Sequence, residues 1–139
     1  MPRVVIPDDF PSILLGTEAL NQLRQLAEVQ IYTEKASSPE ELQERIQGAE
    51  VVINIRAYSK FNESLLQACP DLKLISVLGI GMDNIDLPAA SRAGIKVCNT
   101  PGYSAVSVAE HTLTLMLAAA RKIPAHDQEL RAGRWTRLP

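Results

Sequence analysis

Five short runs of aliphatic residues, each followed by a break and then by a helical stretch, fill the first hundred positions and restrict the fold more than anything else in the chain. They are RVVIP at 3–7, VQIYT at 29–33, VVINI at 51–55, LKLISVL at 72–78 and IKVCN at 95–99. Strands that alternate with crossover helices build a parallel sheet. Several runs are apolar at successive positions, the pattern of a sheet covered by helices on both faces. The segments between them carry helix signals. Leu20, Leu23, Leu26 and Ala27 share one stripe of 17–27, and Ser38 with Pro39 opens 39–47 before Gly48. Asn62 and Glu63 open 62–69 before Pro70, and 87–93 runs into Gly94. Right-handed crossovers of these lengths predict an α/β fold with a flavodoxin-like, doubly wound parallel five-stranded sheet.

After Pro101 the pattern changes. Ser107-Val108-Ala109-Glu110 reads as a capping box that opens a long helix, HTLTLMLAAARKI. Its apolar residues surround the axis, so burial on more than one side is expected, by another domain or by another copy of the chain. Pro124 is expected to break it, and a short helix then runs to Gly133. The last residues, Trp135-Thr136-Arg137-Leu138-Pro139, have no strand to receive them. The predicted division is a domain at 1–103 and connecting helices at 104–139.

Composition narrows the function classes. With 14 Lys+Arg against 16 Asp+Glu in 139 residues, the net charge of -2 gives no positive field for gathering nucleic acid. The apolar stretch 113–120 is far short of the roughly 20 residues that span a bilayer, so no membrane helix is expected. MPRVVIPDDF is read as carrying no secretory signal. Cys69 and Cys98 form no CxxC and suggest neither a disulfide framework nor a zinc site. A cytoplasmic location is expected.

Ligands of an open parallel sheet collect at the carboxyl ends of its strands. Those ends carry Pro7-Asp8-Asp9, Thr33-Glu34, the 56–60 loop, the 79–83 loop and the 99–102 loop. Arg56 follows an apolar strand and offers a fixed fork for a carboxylate or phosphate, with Lys60 nearby; alternatively it pairs with a carboxylate such as Asp83. Gly79-Ile80-Gly81 lacks the third glycine of a dinucleotide fingerprint, since position 84 is Asn84. Its N–H groups could form a concavity for a carboxylate, or the glycines could serve a tight turn alone. His111 and His126 stand beside no partner acid that the sequence specifies and read as structural. Metal-ligand spacing, a GxSxG elbow and a P-loop are absent. Alone, this chemistry describes a lobe that binds a small anion, without a complete catalytic set.

Residues 77–121 closely resemble the substrate-domain signature of the D-isomer-specific 2-hydroxyacid dehydrogenases, most nearly the 3-phosphoglycerate dehydrogenase branch. The matching positions are Gly79, Gly81, Asp83, Ile85 and Asp86; Ala90, Gly94, Ile95, Val97 and Asn99; Pro101; and Val108-Ala109-Glu110. Upstream, Ile55-Arg56-Ala57-Tyr58-Ser59 is similar to that family's R-[S/A]-x-[T/S] loop, and AARKIPAHDQELRAGRW also fits the branch. The resemblance implies an NAD-dependent enzyme of two doubly wound domains that interconverts 2-hydroxy and 2-keto acids. It implies substrate contacts at Arg56, Ser59, Gly79, Ile80 and Gly81, and a place near the nicotinamide for Val108. The helix after Val108-Ala109-Glu110 would cross to the cofactor domain and the interface of a homodimer. The family's G-x-G-x-x-G domain, with its catalytic Arg, Glu and His, follows the region matched here. No catalytic residue is therefore assigned, and this stretch alone is expected to bind NAD weakly and show no turnover. Two other readings are a stand-alone module for a small anion and a dimerising interaction protein.

Overall fold

The computed structural model describes residues 1–135, and the expectation for the segment 136–139 lies outside them. Two compact units divide the chain, 1–101 and 102–139. In the first, β1 (Arg3–Ile6), β2 (Glu28–Ile31), β3 (Val51–Asn54), β4 (Leu74–Val77) and β5 (Lys96–Cys98) form one parallel sheet in the order β2-β1-β3-β4-β5. This is the flavodoxin-like order, and its strand sequence reverses between β1 and β3. The strands are shorter than the apolar runs that announce them.

Alternation within the strands divides the core between the two sheet faces. On one face Val5, Val52, Ile75 and Val77 pack against α2 (Pro39–Ile46), α3 (Glu63–Ala68) and α4 (Leu87–Arg92), through Leu42, Ile46, Leu65, Leu66, Ala89 and Ala90. On the other, Ile6 and Ile55 meet Leu20 of α1 (Glu18–Leu26), with Ile53 and Leu78 partly buried beside them. Local capping fixes where each helix starts. The side chains of Thr17, Ser38, Asn62 and Asp86 accept from the N–H groups of Leu20, Glu41, Leu65 and Ala89.

The second unit holds α5 (Ala105–Ala120) and α6 (Ile123–Arg131). The capping box predicted at Ser107 is not formed. Gly102 adopts φ 81°, and the Ala105 N–H bonds back to its carbonyl, so the helix starts at Ala105 and Ser107 lies inside its first turn. Pro124 does not end this helix either. Lys122, at φ 50°, turns the chain, and Pro124 stands in the first turn of α6, where its missing N–H costs nothing. No residue of α5 is buried, and Val106, Val108, Leu113, Leu115, Met116 and Leu117 are 56 to 71% exposed. Among the described residues no helix is long and apolar enough to cross a membrane.

Candidate functional site

Parallel strands deliver their carboxyl ends to one rim. Asn54 of β3 is paired in register with Val77 of β4, and the Leu78 N–H extends the pairing to the Asn54 carbonyl at 2.9 Å. Arg56 and Gly79 each lie two residues beyond that pair, so the guanidinium loop and the glycine turn leave neighbouring strands at matching positions. Arg56 is exposed and has no hydrogen-bond or ion-pair partner among the described residues, so the alternative pairing with Asp83 is not formed. Lys60 is likewise exposed and without a carboxylate partner there.

The three amides of the turn differ. The Gly79 N–H donates to Thr100 Oγ1 at 2.8 Å, and its carbonyl accepts from the Thr100 N–H at 2.9 Å. The Ile80 carbonyl accepts from Asn99 Nδ2 at 2.9 Å. The N–H groups of Ile80 and Gly81 have no protein partner among the described residues, so they are the two available to an anion. Gly79 sits at φ 157°, a conformation that requires glycine although a Cβ there would meet nothing nearer than 4.0 Å. Gly81 has no such constraint, and a Cβ would stand 3.7 Å from Asp83 Oδ2 in ordinary contact. The backbone conformation therefore explains the first glycine, and nothing in the fold requires the second.

Ser59 is buried, its hydroxyl donating to Asp8 Oδ2 at 2.7 Å and its carbonyl accepting from Asn84 Nδ2 at 2.7 Å. The hydroxyl predicted to touch substrate is thus engaged inside the protein. Asp8 and Asn84 have roles that sequence reading did not assign, and the only signal for Asp8 was its place at the end of β1. Burial pushes the Asp8 carboxyl above its ordinary value, against the Ser59 donation and the nearby Arg45 and Lys35 charges. Burial works in the same direction on Asp9, but the Ser12 hydroxyl and the N–H groups of Ile13, Leu14 and Leu15 outweigh it and hold that carboxyl below its ordinary value. A cleft of about 460 Å³ opens beside Asp8, Lys35, Tyr58, Ser59 and Lys60, with the Lys35 ammonium 3.6 Å from the Tyr58 ring centre.

The turn does not fit a dinucleotide. Asn84 occupies the third-glycine position with its amide turned to Ser59, and the helix that follows has six residues. His111 is exposed on α5 and His126 half-buried on α6, neither in an ion pair, and Val108 is exposed on α5. No group of three metal-ligating side chains exists among the described residues. Cys69 and Cys98 are free thiols.

In this doubly wound sheet the loop bearing the unpaired Arg56 and the turn bearing the free Ile80 and Gly81 amides leave neighbouring strands at one rim. The sequence pattern described as D-isomer specific 2-hydroxyacid dehydrogenase, catalytic domain, matches residues 10–132, and the chain belongs to that family. It is 40% identical over 124 residues to D-3-phosphoglycerate dehydrogenase of Archaeoglobus fulgidus, a match covering 88% of this chain and 23% of that protein. Hydroxypyruvate reductase of Thermotoga maritima is 40% identical over 121 residues, 87% of this chain and 39% of that protein. The solved D-lactate dehydrogenase of Aquifex aeolicus, complexed with NAD and lactic acid, superposes with a TM-score of 0.80 at 25% identity, over 99% of this chain and 39% of that one. The chain spans about a quarter of the length of the phosphoglycerate dehydrogenases it matches, 23% in one and 25% in another.

Proposed function

We propose that this chain is the substrate-holding part of an NAD-dependent D-2-hydroxyacid dehydrogenase of the 3-phosphoglycerate dehydrogenase type, with residues 1–103 as the binding domain and 104–139 as connecting helices. The observation that carries the reading is the matched placement of Arg56 and Gly79 beyond the Asn54–Val77 pair. A planar guanidinium fork and two backbone donors suit the carboxylate of a 2-hydroxy or 2-keto acid, and Lys60 favours one bearing a second negative group. Holding that acid still lowers the barrier once a nicotinamide is brought to its second carbon.

NAD supplies or accepts the hydride in the whole enzyme. Among the described residues there is no glycine-rich phosphate-binding turn for it, and in this reading the stretch alone binds it weakly and shows no turnover. Val108 would meet the nicotinamide edge, and the exposed apolar α5 is the surface that the cofactor domain and a second copy would cover. Titration of 3-phosphoglycerate or pyruvate into the isotope-labelled chain tests the reading. Shifts of the Ile80 and Gly81 amides and of the Arg56 side chain support it, and their absence at millimolar ligand overturns it.

A further inference from the structure

Ser59 is the one buried residue of the 56–60 loop. Its hydroxyl reaches Asp8 at the end of β1, and its carbonyl takes the Asn84 amide from the segment that follows the glycine turn. The adjoining Phe61 is fully buried and adds a second connection. Its N–H donates to the Asn84 carbonyl at 2.8 Å, and its carbonyl accepts from the Asp86 N–H at 2.9 Å, forming a parallel bridge with Ile85. The β3 ladder holds one side of the loop, and Ser59 with Phe61 holds the other. Ile55, the first residue past the ladder, is buried, and only Arg56, Ala57 and Tyr58 between these anchors are exposed.

We propose that Ser59 is a positioning residue: seated between Asp8 and Asn84, it fixes the Arg56 loop against the 79–81 turn, so that guanidinium and amides form one preformed clamp. The inference rests on the substrate-lobe reading and deepens it. A loop ordered during folding no longer has to be ordered by the ligand, which is how preorganisation raises affinity. The pin also has little redundancy. Asp8 Oδ1 and Asn84 Oδ1 are buried without partners, and Ser59 Oγ is the side-chain donor to Asp8, so Ser59→Ala leaves that carboxyl only the backbone N–H of residue 59.

The test is the dissociation constant for 3-phosphoglycerate, read from amide shifts of the labelled chain below each variant's unfolding midpoint. Ser59→Ala is expected to raise it about tenfold and to loosen residues 56–58 in relaxation measurements. Asn84→Ala, which removes only the bond to the Ser59 carbonyl, serves as the second variant and is expected to act in the same direction. Ile75→Val, a core truncation, is expected to lower stability without changing affinity. Unchanged affinity in Ser59→Ala and Asn84→Ala, with binding by the wild type intact, overturns the pin and leaves the lobe. An equal loss in Ile75→Val overturns positioning in favour of general destabilisation. No binding by the wild type overturns both readings.

Discussion

The Arg45 guanidinium lies over the Tyr32 ring, 4.5 Å from its centre, almost wholly buried. From there it donates to the carbonyls of Pro7, Glu34 and Lys35 and pairs with Glu41, tying the ends of β1 and β2 to α2. Arg45→Met should cost about 2–4 kcal/mol, since three carbonyls and a carboxylate lose their donor together. Arg45→Lys should recover little of this, because one ammonium cannot span the same fork. Urea denaturation measures both, and a loss below about 0.5 kcal/mol would assign Arg45 to an ordinary surface role.

The Asp8 carboxyl, raised above its ordinary 3.8 by burial, gives a pH dependence of definite sign. Its charged form is disfavoured in the folded state, so the folded protein binds the proton more tightly than the unfolded chain. The stability tied to that proton is present below pH 3.8 and is lost as pH rises through the folded value. Asp8→Asn cannot ionise. The stability difference, variant minus wild type, should therefore be larger at neutral pH than in acid, and a difference that does not change with pH would contradict this.

Glu41 works in the opposite direction. The Ser37 hydroxyl and N–H, with Arg45, lower its carboxyl from 4.5 to about 2. Its contribution is complete above pH 4.5 and disappears as pH falls towards about 2. Glu41→Gln should flatten the acid limb of the wild-type stability curve in that window. Denaturation midpoints taken across it are the measurement, and parallel curves would remove Glu41 from the account.

What sequence reading captured is mostly local. Ser38 and Asn62 announce helix starts because their partners lie three residues on, and each makes the bond that its position implies. Aliphatic runs locate all five strands because a sheet covered on both faces has to be apolar on both. Polar connections across the fold leave no such pattern. Asp8 and Ser59 are 51 residues apart, and nothing in either neighbourhood marks the other. Thr100, which takes the Gly79 amide, was hidden in the same way. At 102–107 a glycine turn competed with the serine spacing and set the helix start, since backbone hydrogen bonding begins wherever φ and ψ first permit it.

The two glycines of the turn should separate stability from binding. Gly79→Ala forces a side chain into φ 157° and should cost about 1–3 kcal/mol. Gly81→Ala meets only ordinary contacts, so it should fold with stability close to the wild type while weakening ligand binding through its Cβ. Thermal unfolding and titration of the two variants decide. If Gly81→Ala binds as well as wild type, close approach at that amide is excluded.

Leu117, 63% exposed in the last turn of α5, tests what covers this helix. An exposed apolar surface of this extent marks an interaction site, and a two-fold pairing would allow each copy to cover the other's helix. Sedimentation of the wild-type chain should show a dimer. Leu117→Glu would place two carboxylates in that contact and should dissociate it while the sheet of the first unit stays folded by circular dichroism. A wild type that remains monomeric across the accessible concentration range removes self-association as what covers α5.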